Sequence, residues 1–296
     1  MREVVVRRVR PPIPKHEVGP AQRTRTGSLR QKKVLAKPVA TLSDVQDALI
    51  DEPCVILVDG APAVLYMDLE GYDEHALGMQ LHALRHTSYV MDWRTSGMQT
   101  NSRIFGYYPR NPLRHDYCKV ASLANEKPLY HSGLAGCAKL ADHAFAKHLP
   151  AQHEQQLRRL DQLVLPDWRL WDTAFTSGIA NKNSPLHYHN DQGNLSDSWS
   201  CMIVRRSNSM LGGQLVLPEL GAALSCRDKT AVLFQGARWQ HGVTPLKPVN
   251  RAAYRYSVVY YAMEQLQHCL TADQEVSRIR GLRTEREGRS RKELPQ

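Results

Sequence analysis

From Pro166 to Met263 the chain is cut into short β-rich runs: Trp171 to Ile179, Trp199 to Val204, Gln214 to Leu217, Thr230 to Phe234 and Tyr256 to Ala262. Each is closed by polar or Gly/Pro turn residues. Strands this short are not stable singly, so they must pair and stack around a shared core. Ahead of them the pattern is mainly helical. Asp73 to His86 reads as one helix, and Leu134 to Leu163 as two, divided at Pro150, whose ring clashes in a helix interior. Thr41-Leu-Ser-Asp44 reads as the cap of a short helix through Val45, Ala48 and Leu49, followed by a strand at Cys54 to Val58. Helices first and short strands afterwards predict an α+β fold, with a double-stranded β-helix (a cupin-like jelly roll) flanked by helices.

The ends of the chain have a different texture. Residues 1–37 are rich in Arg, Lys, Pro and Gly and show no apolar period, so they are expected to form a basic flexible arm. Such an arm can lie along DNA phosphates, or act as a solubilising or localisation tail. A single domain is expected over 38–264, its jelly-roll core at about 167–263, with a helix and a basic tail over 265–296.

Hydrophobic residues make up 42% of the 296, enough for a substantial core. The net charge of +10 favours a polyanionic partner, nucleic acid first, because Lys and Arg gain by releasing counterions from phosphates. Cys54, Cys118, Cys137, Cys201, Cys226 and Cys269 are scattered, with no C-x-x-C pair, which predicts neither a zinc ribbon nor a disulfide framework and fits a reducing compartment. No apolar run approaches the ~20 residues of a membrane span, and no signal-peptide core is present. A soluble intracellular protein is expected, cytoplasmic, nuclear in a eukaryote, or in the host cytoplasm if phage-encoded. A monomer is favoured.

One H-x-D triplet occurs, His189-Asn-Asp191, and a second strand end offers His241. Two imidazoles and a carboxylate can take one face of Fe(II) and leave three positions for a bidentate 2-oxo acid and O2. On an extended strand residues i and i+2 share a side, so His189 and Asp191 can meet one ion, with His241 arriving from a neighbouring strand. His187 with His189 is a competing pair suited to zinc, and ordinary surface residues are the plainest alternative. Alternation along Arg255-Tyr-Ser-Val-Val-Tyr-Tyr261 puts Arg255, Ser257, Val259 and Tyr261 on one face and Tyr256, Val258 and Tyr260 on the other. A buried Arg255 needs an anion, either the distal carboxylate of 2-oxoglutarate or a structural acid.

Taken together these segments resemble the TET/JBP 5-methylpyrimidine dioxygenases. The resemblance rests on His189-Asn-Asp191-Gln-Gly-Asn194, on Gly212-Gly-Gln-Leu-Val-Leu-Pro-Glu-Leu-Gly221, and on His241-Gly-Val-Thr-Pro-Leu-Lys-Pro-Val-Asn-Arg251 followed by Arg255 to Tyr261. It spans Asn181 to Met263. It implies His189, Asp191 and His241 as iron ligands and as the catalytic centre, with Arg255 and Ser257 on 2-oxoglutarate. Asn194 would touch the Watson–Crick edge of a flipped base in DNA and Tyr261 would stack on it. Asn181 sits where related oxygenases place an Asn near the cosubstrate. Asn101 and Arg103, before Phe105-Gly106, resemble a segment that in some relatives reaches base or cosubstrate.

Two departures mark this chain. Met263 stands where animal relatives carry a His that helps to read the cytosine amino edge, and their cysteine-rich extension has no counterpart, as in compact phage, protist or fungal forms. The resemblance implies hydroxylation of the methyl group of 5-methylcytosine with Fe(II), 2-oxoglutarate and O2, with further oxidation left open. Thymine hydroxylation, giving 5-hydroxymethyluracil, is the nearest alternative, since Asn194 offers both a donor and an acceptor. A repair-type demethylase fits the Leu217 to Gly221 turn less well. A non-catalytic DNA-binding module is at odds with the intact His189, Asp191, His241 and Arg255.

Overall fold

The computed structural model of the chain describes residues 1–14, 16–18, 34–36, 39–45, 49–93, 99–110 and 117–293. In chain order its strands and helices are β1 (Arg2–Val6), β2 (His16–Val18), β3 (Val34–Ala36), β4 (Cys54–Val58), β5 (Ala61–Asp68), α1 (Glu74–His86), β6 (Val90–Trp93), β7 (Gln99–Tyr108) and β8 (Lys119–Val120). Four helices follow, α2 (Ser122–Glu126), α3 (Pro128–Gly136), α4 (Ala138–His148) and α5 (Pro150–Leu163). The jelly-roll strands are β9 (Ser177–Lys182), β10 (Leu186–His189), β11 (Ser200–Arg206), β12 (Met210–Gly212), β13 (Leu215–Leu217), β14 (Ala222–Leu224), β15 (Thr230–Phe234), β16 (His241–Val243), β17 (Leu246–Pro248) and β18 (Arg255–Tyr261). Helix α6 (Ala272–Glu293) comes last.

The major sheet runs β1-β4-β5-β15-β11-β18-β9-β7-β6, antiparallel except where β1 joins β4. A minor sheet, β10-β16-β13-β14, packs against it. Strand alternation divides the interior in two. Leu65, Ile203, Leu233, Val258 and Tyr260 face the helices, where Leu77, Leu134, Ala141 and Phe145 meet them. Tyr66, Met202, Val204 and Val232 face the minor sheet, where Leu215, Leu217, Leu224 and Val243 meet them. Burying both faces of the central strands is what lets strands of five to seven residues hold together. The fold is the expected α+β jelly roll flanked by helices.

Local signals held where they were strongest. Asp73 caps α1 by accepting from the Ala76 amide, and Pro150 occupies the first turn of α5, where its missing N–H costs nothing. Thr41 and Asp44 form a capping box, but on a 3-10 turn over Leu42–Asp44; residues 46–48 lie outside the described residues. The run expected at Trp171 to Ile179 becomes a strand only at Ser177, because Trp171 takes a left-handed φ of 57° in a turn closed by Leu170 N–H donating to the Phe175 carbonyl.

Three expectations are corrected. Arg2–Val6, placed in the flexible arm, forms the sheet-edge strand β1, with Val4 and Val6 packed on the inter-sheet core. Farther on, Arg10 N–H donates to the Glu219 carbonyl, and Ile13 exchanges two hydrogen bonds with the Gln240 side chain, at 2.7 and 3.1 Å. Residues 19–33 of the expected arm lie outside the described residues. The Arg-rich stretch from Arg278, expected to be a tail, belongs to helix α6. Cys118 and Cys269, 151 residues apart, are joined in a disulfide, which spacing rules for local motifs cannot reveal. Beside that bond the buried Glu275 carboxylate receives Arg110 and the amides of Cys118 and Leu270, so the start of α6 is fastened to the core. Among the described residues no helix is long and apolar enough to cross a membrane.

Candidate active site

Strands β10 and β16 pair antiparallel with His189 directly opposite His241, so their imidazoles project to the same side, ring centroids 4.3 Å apart. Asp191 lies just past the end of β10 rather than within an extended strand, so the i, i+2 geometry is supplied by a pinned turn instead. Its amide donates to the Gly236 carbonyl at 2.9 Å, and the Asn190 side chain donates to the carbonyls of Ala237 and Arg238. The carboxylate thus stands between the rings, Oδ1 3.6 Å from His189 Nε2 and Oδ2 3.8 Å from His241 Nε2.

The histidine tautomers follow from the backbone. His189 Nδ1 lies 2.8 Å from the His187 carbonyl and His241 Nδ1 lies 3.0 Å from that of Trp239. A carbonyl only accepts, so both Nδ1 atoms carry the proton and both Nε2 lone pairs face Asp191, as metal ligation requires. His189, Asp191 and His241 are the one such group among the described residues, with candidate ligand atoms all within 4.8 Å of one another. His187 is not in it. This donor set of two imidazoles and one carboxylate fits Fe(II) with positions left open.

Gly236 makes that geometry possible. A Cβ there would fall 2.3 Å from Asp191 Oδ2. Gly236→Ala is therefore expected to displace the carboxylate and weaken Fe(II) binding by about 10- to 100-fold, the usual range for disturbing groups behind a ligand. Metal titration of the purified variant checks this, and wild-type affinity would contradict it.

The second half of the site lies on the inner face of the major sheet. Arg255, Ser257 and Asn181 are all buried there, with Ser257 and Asn181 in register on β18 and β9. Arg255 is only 1% exposed, and among the described residues its Nε and Nη2 have no partner; neither has Asn181 Oδ1. Burial pushes the Arg255 guanidinium down to about 10. A buried, unpaired guanidinium is costly, and an entering carboxylate would relieve that cost. The glycines of the Gly212-Gly213 pair have separate steric reasons. A Cβ on Gly212 (φ 75°) would meet the Pro245 carbonyl oxygen, and one on Gly213 (φ 79°) would lie 2.6 Å from Arg255 Nε. In the Pro218 to Gly221 turn, Glu219 accepts from the Gln240 amide at 2.7 Å, beside His241.

Asn194 and Tyr261 are brought together as well. Asn194 bridges Met263 across the end of β18, Leu195 N–H donates to the Ala262 carbonyl, and Glu264 N–H donates to that of Gly193. Asn194 is buried and its Nδ2 donates to Ser200 Oγ at 3.0 Å. Tyr261 is half-buried at the strand end, sharing the inner face with Arg255 and Ser257.

Asn101 and Arg103 depart from expectation. On β7 they alternate with Phe105 toward the helices. Arg103 donates to Ser122 Oγ at 3.1 Å and to Glu126 at 2.5 Å on α2. The β7 residue on the site face is Ser102, in register with Asn181 and so in one row with Ser257. Sequence reasoning passed over Ser102, Gly213 and Gly236. Alternation along Thr100 to Gly106 carried the signal for Ser102; nothing local carried one for Gly236.

Comparisons with known proteins point to an oxygenase family. The TET/JBP family model, described as the oxygenase domain of the 2OGFeDO superfamily, matches residues 108–264, more than half of the chain. Among solved structures, NgTET1 in complex with 5mC DNA superposes with a TM-score of 0.55 at 13% identity, covering 80% of this chain and 89% of that one. A 2OG-Fe(II) oxygenase family oxidoreductase from Burkholderia pseudomallei gives a TM-score of 0.43 at 13% identity, covering 71% and 88%. The search of curated proteins gives no match. The superfamily uses Fe(II), 2-oxoglutarate and O2, and the His189-Asp191-His241 cluster has the matching donor set. On the matched domain, which spans more than half of its length, the chain belongs to the TET/JBP family of 2-oxoglutarate- and Fe(II)-dependent oxygenases.

Proposed function

We propose that this oxygenase acts on a base of DNA and hydroxylates the methyl group of 5-methylcytosine. The observation that carries the reading is the His189-Asp191-His241 cluster together with a buried guanidinium that has two nitrogens unpaired among the described residues, in a chain of this family. His189, Asp191 and His241 would hold Fe(II), and Arg255 with Ser257 would hold the distal carboxylate of 2-oxoglutarate. The iron centre supplies the oxidation, coupling decarboxylation of 2-oxoglutarate to succinate with insertion of one oxygen atom into the methyl C–H bond.

The protein's own part is placement. The two Nδ1–H···O=C bonds fix the imidazole planes, so that Nε2 of each ring stays aimed at one point. Asn194 and Tyr261 would receive the extruded base, the amide on its Watson–Crick edge and the ring on its face. Asn194 Nδ2 gives one of its two N–H groups to Ser200, which leaves its carbonyl oxygen to accept from the 4-amino group of 5-methylcytosine and its second N–H to donate to the O4 of thymine. The net charge of +10 supports a DNA partner, and the fold is shared with a TET protein solved with 5mC DNA.

Met263 keeps thymine as a second reading. It pairs with Asn194 but carries no polar group to read position 4. Protein purified anaerobically and supplied with Fe(II), 2-oxoglutarate and duplexes carrying either thymine only or 5-methylcytosine is expected to yield 5-hydroxymethylcytosine by nucleoside mass spectrometry. Exclusive 5-hydroxymethyluracil would replace the base assignment. DNA binding without succinate release would leave only a binding module.

A further inference from the structure

The residue before each candidate histidine ligand turns away from the site, Tyr188 before His189 and Gln240 before His241. Both are buried, and both are held by segments from the N-terminal part of the chain. Gln240 accepts from the Ile13 amide through Oε1 at 2.7 Å and donates to the Ile13 carbonyl through Nε2 at 3.1 Å. Tyr188 Oη donates to Asp44 Oδ2 at 2.6 Å. Ile13, Ala40 and Val45 complete this outer layer against Tyr188, Val216 and Ala223.

The sequence suits such a strap. In Pro11-Pro12-Ile13-Pro14 only Ile13 has a backbone N–H, and that one donor goes to Gln240. The neighbouring prolines restrict the segment to extended conformations before it docks, which lowers the entropy lost on docking. The strap is tied a second time at Arg10, whose N–H donates to the carbonyl of Glu219, and the Glu219 carboxylate accepts from the Gln240 amide at 2.7 Å. Val39 bridges His187 on β10. By contrast the ladder between β10 and β16 is thin: it pairs Leu186 with Val243 and His189 with His241, with an irregularity between the two pairs. A metal site needs its ligands held to about 0.5 Å, more than so short and broken a ladder supplies by itself.

We infer that the Pro11–Pro14 strap and Asp44 form an external clasp on the metal-bearing strands: by holding Gln240 and Tyr188 they fix the spacing of the His241 and His189 imidazoles and so set the affinity of the site for its metal ion. Gln240 and Tyr188 are thus positioning residues. The inference rests on the assignment of His189, Asp191 and His241 to the metal.

The test is calorimetric Mn(II) binding to full-length protein under anaerobic conditions, well below melting, with the melting temperature of the metal-free protein measured alongside. The Kd then belongs to the folded protein, and a loss of global stability alone leaves it unchanged. Gln240→Leu should raise the Mn(II) Kd by about tenfold, and Tyr188→Phe, which keeps the ring and its packing, by about threefold. Asp44→Asn keeps an acceptor for Tyr188 and should stay within about twofold. Val45→Ala thins the same apolar layer without touching either clasp, so it should lower the melting temperature and leave the Kd at its wild-type value. Wild-type Kd in Gln240→Leu or in Tyr188→Phe overturns the inference, and so does a rise in Val45→Ala equal to that in Gln240→Leu. Asp191→Ala is run in parallel: wild-type Mn(II) binding there defeats the metal assignment itself, whatever the clasp variants show.

Discussion

Asp191→Ala is expected to lower turnover by roughly 10³-fold or more while leaving DNA affinity and melting temperature close to wild type. The carboxylate stands 3.6 and 3.8 Å from the two Nε2 atoms, and it is the sole acidic member of the cluster. Without it two neutral imidazoles remain, with no charge to balance a divalent ion and no third ligand to define a face. The fold should tolerate the change, because the turn is held by the Asp191 amide on Gly236 and by the Asn190 side chain, and both survive in the variant. Succinate release and nucleoside mass spectrometry measure the loss; filter binding at fixed salt measures DNA affinity. Substantial activity in Asp191→Ala would remove the iron assignment. His189→Ala should behave alike, since His241 has no second imidazole beside it once its register partner is gone.

Arg255→Lys should raise the 2-oxoglutarate requirement by about 100-fold, although the formal charge is kept. Among the described residues the Nε and Nη2 of Arg255 are buried without partners, and together they match the two oxygens of a carboxylate. An ammonium offers one point of contact, and its compact charge is harder to desolvate in a pocket that already pushes the guanidinium down to about 10. The effect belongs in the KM for 2-oxoglutarate, with the KM for DNA little changed. An unaltered 2-oxoglutarate KM would mean that another cation holds the cosubstrate. Arg251, the other arginine of that segment, is exposed and so is poorly placed for the task.

Much of the site was legible because its information is short-range. The H-x-D triplet, His241 at a strand start, and the alternation that puts Arg255 with Ser257 are properties of neighbouring residues, and period two survives any packing. The strands Cys54–Val58 and Thr230–Phe234 were legible for the same reason, being β-branched apolar runs between turn residues. Alternation does not say which face turns inward. Asn101 and Arg103 were placed at the site, but β7 turns them to the helices, where Glu126 receives Arg103, and brings Ser102 to the site row instead.

The rest was decided by contacts between residues far apart in the chain, which no local window contains. The edge strand Arg2–Val6 exists because β4 offers it a free row of backbone groups, and the Cys118–Cys269 bond because folding brings two remote segments together. The need for glycine at 236 becomes visible only when Asp191 arrives against it, and the need for glycine at 213 only when Arg255 does. Sequence by itself determined which chemical groups this protein carries and the period at which they recur. Tertiary structure decided which of them meet, because a metal ion and a carboxylate are held by the positions of side chains in space, set by the pairing of strands whose register is fixed across long stretches of chain.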